Sequence, residues 1–269
     1  MMNVKKYKLL ANDTKKVAGK TLYRIQALRN IFYDVAEGDL GGYIEKEANL
    51  SQEGECWVYN EAEVYGDATV VGDASVCNNA KVGGHAVIAD TAYVTGSARV
   101  YGYAKVCGNA DVFGSCWVYD NAVVDGDVLL DGEVIVSKNT KITGHSRIEG
   151  KVEFRGLNNV AEGDAVVTTD CCFNGNAHLT KEADYMTIKG VGRTAELVTF
   201  YRTETGAAVS YDGRVYTTLD EFNDMLDACE VPRGSTEVMH SVFIQEMQVA
   251  LILARLHFLH NRALGDETD

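Results

Sequence analysis

Arg99 and Trp117 lie one 18-residue step apart, and Tyr65, Gly83, Tyr101 and Tyr119 follow one another at the same step. Aromatic planes stack on nucleobases and a guanidinium holds phosphate. If the fold brings these residues together, the set suits a small nucleotide. A second set sits in "KGVGRTAELVTFYR", which puts Gly190, Gly192 and Arg193 in a turn and Tyr201 and Arg202 on the next strand. A glycine-rich backbone with arginine can hold an anion, and an ordinary hairpin accounts for the same pattern. The candidate ligand-binding residues are therefore Arg99, Tyr101, Trp117, Tyr119, Tyr65, Arg193, Tyr201 and Arg202.

Acid–base and metal chemistry find less support. Of the six histidines, His85 and His145 follow Gly84 and Gly144, which places both at corners facing water. No Asp or Glu sits at a spacing that clearly orients either ring. His178, His240, His257 and His260 lie further on, the last three on a helix. The seven cysteines form no CxxC, and Cys171 and Cys172 are adjacent. They read as reduced thiols rather than as zinc ligands. No catalytic residue, metal or cofactor is assigned.

The 18-residue step is three times a shorter one. Every sixth residue from Val58 to Cys172 is apolar, twenty positions in all, and most are β-branched. Two positions earlier lies a small residue, Ala in ten of the twenty; two positions later lies mostly Gly, Asn or Asp. A helix cannot keep a six-residue repeat on one face. A short strand can, with the Ala and apolar slots both pointing inward and the Gly slot bending the chain. Val100 is thus inward and Thr95 outward. Such units have a core only when stacked.

The pattern resembles the hexapeptide repeat of left-handed β-helices, whose triangular coils take three hexads, or 18 residues. The resemblance implies a mainly β fold: a left-handed parallel β-helix. No hexad is interrupted between Val58 and Cys172, so there is no extruded loop to carry a site. Two extra residues near Gly54–Glu55 predict a bulge there, and the Ala slot decays downstream (Thr140, Ser146, Asn158, Asp164, Asp170), which predicts looser last coils. Residues 18 apart form outward columns: Tyr65, Gly83, Tyr101, Tyr119, Ser137, Arg155, Phe173, and beside it Glu63, Lys81, Arg99, Trp117, Ile135, Glu153. Gly83 leaves a notch between the tyrosines. A second face carries Trp57, Tyr59, Tyr93 and Phe113, and the third carries no aromatic. Exposed aromatic faces imply contact, and β-helices of this class commonly pack as homotrimers.

The ends differ in character. "KKYKLL" and "GKTLYRIQAL" alternate like strands around a turn-rich "ANDTKKVAG", predicting a hairpin cap. Tyr185–Gly190, Leu197–Thr203 and Ala207–Gly213 read as strands. Thr218 begins a short helix and Ser235 caps a longer one, whose apolar stripe is Val238, Val242, Phe243, Met247, Leu251, Ala254 and Phe258. The expected organisation is a hairpin cap over 1–41, the β-helix over 42–178, and a small α+β unit with two helices over 179–269.

The chain has 269 residues, 46% hydrophobic and 24% charged, with a formal net charge of −14. That charge repels a phosphate backbone at long range, so extended nucleic acid is excluded as a partner, while a small anion met by local arginines is not. No leader and no apolar run long enough for a membrane are recognised, so a cytoplasmic location in a bacterial host cell is expected. The hairpin, "GDLGGYIE" and the "TFYR…TLDEF" tail more loosely resemble phage and prophage β-helix proteins. Some of these sequester nucleotide immune signals without cleaving them. The resemblance implies a non-catalytic, homotrimeric anti-defense sponge for a cyclic oligonucleotide or ADP-ribose derivative. The alternatives are a hexapeptide-repeat acyltransferase using acyl-CoA and a structural or adaptor β-helix.

Overall fold

The computed structural model describes residues 5–31, 34–191, 196–229 and 236–265. Short strands recur every six residues from Trp57–Val58 onward and stack in parallel into three sheets that wrap one core. Val58 pairs with Val76, Val76 with Val94 and Val94 with Val112, so each coil takes 18 residues. The result is a β-solenoid of about eight coils. Every apolar-slot residue from Val58 to Phe154 is fully buried, as are the alanines two positions before them. The third slot makes the corners. Gly84 has φ +69°, and a side chain there would meet the Gly102 backbone at 2.9 Å, so glycine is required by both conformation and space.

The bulge near Gly54 is present. Leu50 bridges to Val70 and Ile44 pairs with Val64, two residues beyond the usual step. Lys6 fills it from the hairpin. Its Nζ donates to the carbonyl oxygens of Cys56 (2.9 Å), Glu53 (3.3 Å) and Gly54 (3.4 Å). Burial pulls the Lys6 pKa down, against the attraction of Cys56 beside it.

The hairpin comprises β1 (Tyr7–Val17) and β2 (Lys20–Ala27), joined to β3 (Leu40–Ile44), which starts the first parallel ladder. The "ANDTKKV" segment belongs to β1 and not to the turn. The turn is Ala18–Gly19, both at positive φ, and the irregularity falls between Leu10 and Thr14. Tyr7 packs edge-on against Trp57 at 6.2 Å and its hydroxyl donates to Leu50 O at 2.7 Å, closing the end of the core.

One register expectation is overturned. Ile142 pairs with Ala161, Ile148 with Val167 and Phe154 with Phe173, a step of one residue more than in the coils before. The hexads are therefore interrupted once, near Asn158, which takes φ +58°. Ala161, Val167 and Phe173 are the buried residues, in place of the predicted Val160, Val166 and Cys172, and Phe173 leaves the outward column for the core. Asn159 holds the insertion together: its Nδ2 donates to Arg155 O (2.7 Å) and its Oδ1 accepts from Ala177 N (3.1 Å).

Beyond the coils, strands Tyr185–Val191, Glu196–Thr203, Gly206–Tyr211 and Arg214–Tyr216 form an antiparallel sheet. Helices α1 (Leu219–Asp227) and α2 (Glu237–Gly265) follow. Thr218 caps α1 as expected, its hydroxyl accepting from Glu221 N; Ser235 and Arg193 lie outside the described residues. One side of this sheet sends Tyr185, Tyr201 and Ala208 into the solenoid core. Its other face builds a second core with α1 and α2 around Phe200, Phe222, Met247 and Phe258.

Candidate ligand-binding face

The first sheet of the solenoid brings most of the predicted set together. Glu63, Lys81, Arg99, Trp117 and Ile135 stand in one ladder, each pairing with the next. The backbone of Tyr65, Gly83, Tyr101 and Tyr119 stacks beside it, with bonds of 2.9 to 3.0 Å from coil to coil. The Arg99 guanidinium lies 4.8 Å from the Trp117 ring centre, and Trp117 remains 42% exposed. Among the described residues Arg99 has no carboxylate partner.

The neighbouring charges are already balanced. Glu63 is buried, with Lys15 Nζ at 2.5 Å and Lys81 Nζ at 3.0 Å from its carboxylate. Burial alone would raise its pKa, but the bonds from Lys15 and Lys81 outweigh it and hold the carboxyl below its ordinary 4.5. A carboxyl lowered in the fold stabilises above its unfolded pKa, and that stability is lost as pH falls through the folded value. Glu63→Gln is expected to flatten this acid limb: urea midpoints of the two proteins should converge as pH drops below about 4. Midpoints that stay the same distance apart below that point would show that the two lysines do not hold Glu63. With Glu63 neutralised by two lysines, Arg99 is surplus positive charge on a strongly acidic chain.

The notch at Gly83 is closed. The Tyr65 and Tyr101 rings lean over it, with hydroxyls 3.3 Å apart, and a side chain at Gly83 would meet them at 2.9 and 3.0 Å. Desolvation, joined by the Tyr65 hydroxyl, raises the Tyr101 pKa, so its phenol stays neutral. The two rings, tilted 54° to each other with centres 6.3 Å apart, form a half-buried aromatic floor beside the Arg99–Trp117 stack, with Tyr119 half-buried on the next coil.

The tail residues do other work. Tyr201 is fully buried, its ring 5.4 Å from Phe173 and its hydroxyl bonded to Gly175 O at 3.2 Å. Arg202 Nε pairs with buried Asp184 at 3.1 Å, and Nη2 donates to Phe258 O. Both tie the sheet to its surroundings: Tyr201 is closed to a ligand, and Arg202, still 26% exposed, is engaged by Asp184 and Phe258. On the second face Trp57 is only 1% exposed, while Tyr93 and Phe113 meet edge-on at 5.8 Å. Thr95, read as outward, is 5% exposed and accepts from Asn78 Nδ2 at 2.8 Å.

Sequence spacing missed three carboxylate–histidine pairs, two of which span one coil. Asp127 Oδ2 is 3.1 Å from His145 Nδ1, and Asp67 Oδ2 is 3.7 Å from His85 Nδ1. Glu162 Oε1 is 2.7 Å from His178 Nε2. A search for acids near in sequence overlooks a partner one coil below. His85 also stacks on exposed Tyr103 at 4.6 Å. His178 lines a cavity of about 450 Å³ with Asn158, Asn176, Thr203, Glu204 and Thr217, between the last coil and the sheet. None of the seven cysteines forms a disulfide, and among the described residues no cluster of His, Cys, Asp and Glu could hold a metal.

Compared with models of known protein families and with curated proteins, the chain matches none.

Proposed function

We propose that the protein is a non-catalytic binding protein for a small nucleotide, of the left-handed hexapeptide-repeat class and similar in role to phage sponges of nucleotide immune signals. The observation that carries this reading is Arg99: a guanidinium stacked on an exposed indole, without a carboxylate, beside a tyrosine floor. A base stacks on Trp117 or the tyrosines, and the phosphate meets Arg99 with Lys81 nearby. Packing as a homotrimer would line the ligand from two copies. Stacking contributes roughly 1–3 kcal/mol per base, and each charge-assisted bond about 1.5–3, enough for micromolar binding after ordering costs.

Calorimetry with cyclic di- and trinucleotides and cyclic ADP-ribose isomers tests this, followed by recovery of the ligand after heating. Arg99→Ala and Trp117→Ala are each expected to weaken binding by about tenfold to a hundredfold, from the loss of one such contact. Intact ligand should be recovered. Hydrolysed ligand would make the protein an enzyme, and unchanged affinity in both variants would move the site elsewhere.

A second reading, acyl transfer, has one observation in its favour. His178, oriented by Glu162 at the wall of the cavity of about 450 Å³, has the arrangement of a general base. Acetyl-CoA turnover abolished by His178→Ala would establish it.

A further inference from the structure

The outer face of α2 is apolar without being covered. Met247, Ala250, Leu251, Ala254 and Phe258 point inward to the second core. Val238 and Val242, expected in that stripe, do not join it; they are 73% and 48% exposed. With Val249 (56%), Ile252 (57%), Leu256 (58%) and Leu259 (65%) they form a separate line. Its steps are four, three, four, three, with Gln245 in the one polar place. That is the alternating spacing of a coiled-coil seam, on the side of the helix opposite its own core. Met239 and Leu253, both about half exposed, widen the seam.

We propose that α2 joins copies of this chain through a parallel coiled coil along Val238–Leu259. The exposed apolar side chains amount to roughly 800 Å², about one partner's share of a standard interface and more than an ordinary monomer leaves uncovered. Parallel alignment sets Gln245 against Gln245 of each copy, so the amides bond one another. An antiparallel seam would set them against apolar residues. A groove of about 400 Å³ beside the helix, lined by Ile188, Val242, Val249 and Leu253, gives a neighbouring side chain room to enter.

By length and composition Glu237–Leu259 could also cross a membrane, contrary to the reading of the sequence. Its inner face is occupied by the protein's own sheet, and Arg255, the one basic residue of its described outer surface, is held by Asp220 at 2.6 Å. An interfacial helix would carry a basic flank, and a chain this acidic is repelled by anionic lipid. A second copy fits better.

The test uses the full chain and does not depend on ligand binding. Light scattering over a range of concentrations should give an oligomer for the wild type. It should give 29.3 kDa monomers for Ile252→Glu/Leu256→Glu at concentrations at least about 100-fold higher, since each copy would bury unpaired carboxylates. The variant's melting of the solenoid should be retained, because both side chains are exposed in the single chain. Gln245→Cys should form a disulfide between copies on mild oxidation, beyond the wild-type background, as only a parallel seam brings these positions together. A monomeric wild type, an oligomer indifferent to the double substitution, or wild type that floats with anionic vesicles would each overturn the proposal.

Discussion

Val100→Asp is expected to leave no folded solenoid. Val100 sits mid-stack, fully buried, paired to Val82 below and Val118 above. An unpaired carboxylate there costs several kcal/mol, a large share of the stability of an ordinary domain. The architecture sharpens the effect, because each coil has only its two neighbours to pack on and a broken coil separates the stack into two. Val100→Ala, which only opens a cavity, should cost about 2 kcal/mol and keep the transition cooperative. Ser97→Asp, at an exposed corner position at least two coils from either irregularity, should melt like the wild type. Circular dichroism against temperature separates the three, and a Val100→Asp protein that melts normally would show that this slot does not face the core.

The repeat made most of this legible because its three slots answer three separate physical demands. A small residue fits a tight corner, a β-branched one fills a parallel core, and a residue tolerant of positive φ turns the chain. Stacking columns follow from the period alone, and so the neighbourhood of Arg99 and Trp117 and the shared column of Tyr65 and Tyr101 were legible in the sequence. Side-chain direction was not: the rings close on Gly83, where spacing predicts a notch, because each ring gains contact by leaning over the one residue without a side chain. Thr95 and Trp57 were read as open because alternation says only which way a side chain points, not what the hairpin or a neighbouring corner lays over it. Tyr201 and Arg202 looked available for a similar reason. Their partners, Phe173, Gly175 and Asp184, come from the end of the solenoid, and no local pattern announces that the sheet docks there. On α2 the two apolar lines interleave, so a single stripe drawn through Val238 and Met247 merges an inner face with an outer one.

The inserted residue near Asn158 was visible in the sequence as a loss of order, and its meaning is testable. Read on the six-residue grid, the Ala slot falls on Asn158, Asp164 and Asp170 and the coils look loose. Moved by one residue it falls on Asn159, Ala165 and Cys171, all buried, and the coils are as tight as before. The two registers assign opposite directions to adjacent residues: the grid buries Cys172 and exposes Phe173, whereas the structure buries Phe173. Phe173 stacks on Phe154 at 4.9 Å and meets Tyr185 and Tyr201 edge-on at 5.8 and 5.4 Å, so it is the joint between solenoid and sheet. Phe173→Ala should therefore cost about 3–5 kcal/mol, the range for emptying an aromatic site in a packed core. Cys172→Ala, partly exposed beside Glu153 and Asn174, should cost less than about 1 kcal/mol. The loss in Phe173→Ala should also be local first: amide exchange should rise in Tyr185–Val191 and Glu196–Thr203 before it rises around Val100, since the sheet loses its anchor while the middle coils keep both neighbours. If Cys172→Ala proves the costlier change, the unbroken six-residue register is right and the insertion at Asn158 is not.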